Sequence, residues 1–203
     1  MADATVASWM HDTAEALAIG RRIGARVLLI STSTGGTLSA AAACDPILSK
    51  AVAGMVFVAP NFGVNNAAAR LLTWPFVRTW IPLLVGRERR VETLSPEHGR
   101  FWTNVYPIVA TLPMAALVRK VIGKSFSKVS IPAFFIMSEK DQIVRPDMIE
   151  RIAKCWGGQK QVLKVVPGLN DDAEAHVLAG DILSPDLTQQ VVEKILDWFK
   201  SIK

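Results

Sequence analysis

Two short apolar runs separated by small residues constrain this chain more than anything else in its sequence. They are RVLLI (Arg26–Ile30) and AVAGMVFVAP (Ala51–Pro60). Each has strand length, and neither alternates apolar with polar, so each reads as a strand buried on both faces. The stretch between them, TGGTLSAAAACD, reads as a helix able to pack very close to a sheet. Strand, helix, strand in that order makes the two strands parallel, because a parallel pair needs a crossover. The fold class that follows is α/β, with helices on both faces of a parallel sheet.

The same rhythm returns later in the chain. IPAFFIM (Ile131–Met137) reads as a third strand and QVLKVV (Gln161–Val166) as a fourth. A helix over Pro146–Trp156 lies between them, with Ile149, Ile152, Ala153 and Trp156 inward. A closing helix over Asp186–Lys203 turns Val191, Val192, Ile195, Phe199 and Ile202 to the core. The four strands are expected as successive neighbours in one sheet. Ahead of them, Val6, Trp9, Met10, Thr13 and Leu17 form one helical stripe, which Gly20 or Gly24 can end. Residues 61–130 break the pattern with Pro75, Pro82, Pro107 and Pro113. They read as two to four short helices with loops. This is a helical cap inserted into a single domain spanning 1–203, not a second domain.

Composition narrows the function. Half of the 203 residues are hydrophobic and 20% are charged, which excludes wholesale disorder. The net charge of +5 is concentrated in the middle, where residues 61–130 carry ten basic and three acidic side chains. No nucleic-acid module accompanies this excess, so no nucleic-acid partner is expected. Cys44 and Cys155 make no disulfide framework, and the three histidines show no metal-ligand spacing, so no metal site is expected. The longest near-apolar run, Tyr106–Val118, is too short to span a bilayer and holds two prolines. With no leader-like start, a cytoplasmic location is expected.

In open parallel sheets the working residues sit just past the carboxyl ends of the strands. STSTGG follows the first strand, with Ser33 at its centre. SEKDQIV follows the third and carries Asp141. PGLNDDAEAHV follows the fourth and carries His176. A serine hydroxyl becomes a useful nucleophile only beside a base, and the base needs an acid to fix its tautomer. Ser33, His176 and Asp141 fit those roles, and the N–H of Thr34 at the following helix start fits an oxyanion donor. Asp171 and Asp172 share the histidine loop and are rivals for the acid. Asp147 reads as a helix-start residue. A phosphate loop is disfavoured, because TSTGGT lacks the required lysine. His11 and His98 read as surface residues.

The order serine, acid, histidine and the segments RVLLISTSTGGTLSAA, VFVAPNFG, IPAFFIMSEKDQIV and HVLAGDILSPD resemble the α/β-hydrolase family, in its carboxylesterase and monoacylglycerol-lipase-like members. The resemblance covers essentially the whole chain. It implies a serine hydrolase acting on carboxylic esters with an apolar acyl group, without a cofactor. The cap aromatics Trp74, Phe76, Trp80, Phe101, Trp102 and Tyr106 form the cap's own core or, some of them, line an acyl pocket, with Trp74, Trp80, Phe101 and Trp102 the candidates for substrate binding. Arg87, Arg89 and Arg90 beside apolar residues suit peripheral contact with an anionic membrane.

Two departures bear on activity. Ser31 stands where the family's G-x-S-x-G turn has its first glycine. Only 25 residues precede Arg26, whereas the family places further strands and an oxyanion loop there. This implies a partial α/β-hydrolase sheet of about four strands, one oxyanion donor instead of two, and Arg26–Ile30 at an open edge available for self-association. The alternative reading is therefore a weak or inactive truncated domain acting by binding.

Overall fold

The computed structural model describes residues 1–202. Its elements run α1 (Val6–Ile23), β1 (Val27–Thr32), α2 (Thr34–Ala43), β2 (Val52–Val58), α3 (Val77–Val85), β3 (Glu88–Arg90) and α4 (Pro96–Phe101). They continue with β4 (Val105–Pro107), α5 (Thr111–Ile122), β5 (Ala133–Met137), α6 (Pro146–Cys155), β6 (Lys160–Lys164) and α7 (Pro185–Ser201). Four strands form one parallel sheet in the order β1-β2-β5-β6, the order expected from the apolar runs.

Side-chain alternation along these strands builds two cores. On one face Met55, Phe57, Phe135 and Met137 pack against α1, α2, α5 and α6. Phe57 stacks on Phe135 at 4.8 Å, and the Trp156 ring meets both edge-on. The Trp156 indole is buried, and its N–H donates to the Ile131 carbonyl at 2.8 Å. On the other face Val56, Val58, Phe134 and Ile136 pack against α7. Here Leu187, Val191, Ile195, Trp198 and Ile202 make a stripe at helical spacing. Val192, expected inward, lies about 100° off that stripe and is exposed. Lys203, at the end of the expected closing helix, lies outside the described residues.

The first strand departs from the expectation of burial on both faces. β1 is only half-buried, and Ile30 is 54% exposed. The reason is its place at the sheet edge, as the hydrolase resemblance implied: α7 covers β1 as far as Leu28 and leaves Ile30 open. The fourth strand sits slightly early, at Lys160–Lys164, and Val166 beyond it is exposed. The 61–130 segment holds three α-helices and two 3-10 turns, as expected in kind. It also holds a short antiparallel pair, β3 with β4, which the sequence reading missed. Among the described residues no helix is long and apolar enough to cross a membrane.

Candidate active site

Ser33 is the single residue between β1 and α2, and its backbone takes φ 50°, ψ −119°. That positive φ is strained for any residue but glycine and costs about 1–3 kcal/mol. Neighbouring hydrogen bonds hold it. The Ser33 N–H donates to Val58 at 3.1 Å, and its carbonyl accepts from Gly36 and Asn61 at 2.9 Å each. The turn lifts the hydroxyl above the strand ends and leaves the Thr34 N–H at the start of α2, where it has no intrahelical carbonyl partner.

The glycine that this turn requires is Gly36. A Cβ there would meet Cβ of Pro60 at 2.6 Å and its Cα at 3.0 Å, so the close approach of α2 to the end of β2 excludes a side chain. At Gly35, which the sequence pattern emphasises, a Cβ would meet only Cβ of Ser31, at an ordinary 3.8 Å. Ser31 fits without crowding. It is buried, and its hydroxyl donates to the Val56 carbonyl at 3.2 Å.

The other two chemical groups arrive from the ends of β5 and β6. His176 Nε2 lies 3.0 Å from the Ser33 hydroxyl, and Nδ1 lies 2.9 Å from Asp141 Oδ2. The Asp141 side chain is 1% exposed. Its other oxygen accepts the N–H groups of Ile143 and Val144, both at 2.8 Å, which fixes the carboxylate. The rival Asp172 has a different task. It accepts the N–H groups of Glu174, His176 and Val177 at 3.1, 3.0 and 2.8 Å and clamps the histidine loop around the strained Ala175, φ 53°. Asp171 accepts the N–H groups of Gly168, Asp186 and Leu187, joining that loop to α7. Asp147 lies at the start of α6, where the Arg145 guanidinium hydrogen-bonds its carboxylate and holds that carboxyl below the ordinary range.

A cavity of about 450 Å³ opens over Ser33 and Thr34. Its walls are mostly polar, with Asn61, Asn65, Asn66, Gln142 and Tyr106 among them. A second, apolar groove of about 300 Å³ shares Val64, Thr111 and Met114 with it and continues along Leu71, Leu72, Ile81, Leu84 and Ile108. The four aromatic residues expected to bind substrate line neither space. Trp74 and Phe101 are 59% and 64% exposed. The Trp80 indole N–H is turned to the Pro75 carbonyl at 3.0 Å. Trp102 packs edge-on against His98 at 5.2 Å. The short cap helices have too little interior to bury these rings, so the aliphatic residues make the groove instead. His98 is a correction of a different kind. Expected at the surface, it is buried, because its ring accepts the Leu94 N–H and packs on Trp102. His11 is exposed, as expected.

Asn61 was legible but overlooked, since it follows the carboxyl end of β2, where the strand-end rule points. Tyr106, one of the cap aromatics weighed for the pocket, does line the cavity, though no strand signal placed it there. It enters through the three-residue β4, too short to show a period.

A nucleophile on a strained strand-to-helix turn, with a base and a buried acid supplied from later strand ends of a parallel sheet, defines a serine hydrolase on the α/β-hydrolase fold. The chain belongs to the family described as "Serine aminopeptidase, S33" (a family label, not a residue), whose model matches residues 4–171. Among curated proteins no match is found. Among solved structures, one of the metagenome-derived lipolytic enzymes LipS and LipT is 18% identical, with a TM-score of 0.71 over 98% of this chain and 75% of its own. Monoacylglycerol lipase from Paleococcus ferrophilus is 12% identical, with a TM-score of 0.69 over 98% of this chain and 77% of its own. A soluble variant of monoglyceride lipase from Saccharomyces cerevisiae is 13% identical, with a TM-score of 0.63 over 97% and 68%. At these identities the likeness is one of fold.

Proposed function

We propose that this chain is a carboxylic ester hydrolase acting on small ester or lipid substrates through an acyl-enzyme. The observation that carries the reading is the continuous relay from Ser33 through His176 to Asp141, at 3.0 and 2.9 Å. His176 Nε2 takes the Ser33 proton as the hydroxyl attacks the ester carbonyl. Asp141 keeps Nδ1 protonated and stabilises the imidazolium that forms. The Thr34 N–H donates to the oxyanion. The alcohol leaves with the proton held by His176, and a water activated by the same histidine releases the acid. The apolar groove beyond Met114 suits the acyl chain.

The family's name points instead to peptide amino termini. An aminopeptidase must hold an α-ammonium group, which calls for a carboxylate facing the substrate. Among the described residues that line the cavity none is acidic, which favours an ester over an amino-terminal amide.

The free cysteines Cys44 and Cys155 suit the reducing cytoplasm. Exposed Phe76, Leu83 and Leu84 on the cap, near a cluster of arginines, suit a peripheral membrane contact. The open edge of β1 suits contact with a second copy.

The test is hydrolysis of p-nitrophenyl butyrate beside leucine p-nitroanilide. The ester reading predicts turnover of the first that is lost in Ser33→Ala. Turnover of the anilide alone would replace it with the peptidase reading.

A further inference from the structure

The cavity over Ser33 has one charged wall. Among the described residues that line it, Arg89 alone carries a charge, and the rest of its polar surface is amide and hydroxyl. The short strand β3 explains why. Successive residues of a strand face opposite sides, so Glu88 and Arg90 share one face. They neutralise each other there in an ion pair of 2.6 Å. Arg89 is left on the other face, directly across from Tyr106 of β4, and both line the cavity. Among the described residues no carboxylate pairs with the Arg89 guanidinium. Arg89 also lines the apolar groove, so it stands where the polar cavity and the groove meet.

We infer that the substrate is an anionic amphiphile: an ester carrying a carboxylate or phosphate that Arg89 binds while its apolar portion lies in the groove. A planar guanidinium matches either group through paired hydrogen bonds. The wall chemistry favours this choice, because an anion meets one cation and no repelling acid there. The basic excess of residues 61–130 extends that preference to the surroundings. This inference rests on the ester-hydrolase reading of the same site.

The experiment compares anionic and neutral esters of similar size. Mono-p-nitrophenyl glutarate is set against p-nitrophenyl butyrate for a carboxylate on the acyl side. A lysophosphatidate is set against the matching monoacylglycerol for a phosphate on the alcohol side. The expected result is a kcat/KM ratio favouring the anionic member of at least one pair by about tenfold or more. That ratio collapses in Arg89→Gln, recovers in part in Arg89→Lys, and shrinks with added salt. Arg87→Gln, whose side chain is outside the cavity walls, lowers the ratio far less than Arg89→Gln does. Equal ratios in the wild-type and Arg89→Gln chains, for both pairs, overturn the inference while leaving ester hydrolysis intact. Binding separates the two readings if no ester is turned over. Ser33→Ala is titrated calorimetrically with monomethyl glutarate and with glycerol 3-phosphate, with and without Arg89→Gln. A loss of affinity of about tenfold for either probe sustains the anion site. No Arg89-dependent binding of either probe overturns it.

Discussion

The pair Gly35→Ala and Gly36→Ala separates two views of the nucleophile turn. Both positions lie in the first turns of α2, and neither has a positive φ, so alanine suits the backbone at each. Alanine in place of glycine in a helix gains about 1 kcal/mol. At Gly35 nothing opposes that gain, because the nearest atom to the new methyl is Cβ of Ser31 at 3.8 Å. At Gly36 the methyl would meet Pro60 Cβ at 2.6 Å and Pro60 Cα at 3.0 Å, a ring and a backbone that do not rotate away. Forcing such a contact costs about 1–3 kcal/mol, and a rigid neighbour puts it at the upper end. Gly36→Ala is therefore destabilised by about 2 kcal/mol net, or about 4–8 °C in Tm for a chain of this size. Pushing Pro60 away also strains the 2.9 Å bond from the Asn61 N–H to the Ser33 carbonyl, so esterase activity falls as well. The assay is thermal unfolding by circular dichroism, with p-nitrophenyl butyrate turnover alongside. Equal Tm values for the two variants, or a higher one for Gly36→Ala, would refute the close-approach reasoning.

Asp172→Asn swaps one acceptor oxygen for an amide, leaving part of the N–H set on the histidine loop unpaired. A loss of about 1–3 kcal/mol is expected by urea unfolding, with a lower kcat because His176 is less well held. Ser31→Gly loses the hydroxyl bond to Val56 and loosens β1, so it destabilises by about 1–2 kcal/mol instead of improving the turn, as chemical denaturation can show. Ile30→Lys places a charge on the open edge of β1. If copies associate there, concentration-dependent association of the wild-type chain on size exclusion falls in the variant; unchanged profiles place any association elsewhere.

The sheet was readable because its strands are continuous apolar runs separated by helical patterns, and long, strongly patterned segments declare themselves. Ser33, Asp141 and His176 were readable because strand ends fix where chemistry sits, so three residues far apart in sequence could be assigned to one place. The cap resisted reading. β3 and β4 have three residues each, too few to show alternation, and their pairing depends on contact between residues 88–90 and 105–107. Arg89 and Tyr106 enter the cavity only through that pairing. The aromatic residues misled for a related reason. Trp74 and Phe101 are core-forming by type, yet a cap of short helices offers them little interior. Gly35 and Gly36 look alike in sequence. Only the position of Pro60, brought in by β2, shows which of them the turn needs.

Fluorophosphonate labelling followed by peptide mapping examines the relay most directly, since the reagent reacts with a serine only where a base activates it and an oxyanion is stabilised. The expected result is one label per chain, on Ser33, with little or none in Ser33→Ala and much slower labelling in His176→Ala. A folded wild-type chain that takes up no label, or takes it up on another serine, would contradict the assignment of Ser33 as nucleophile.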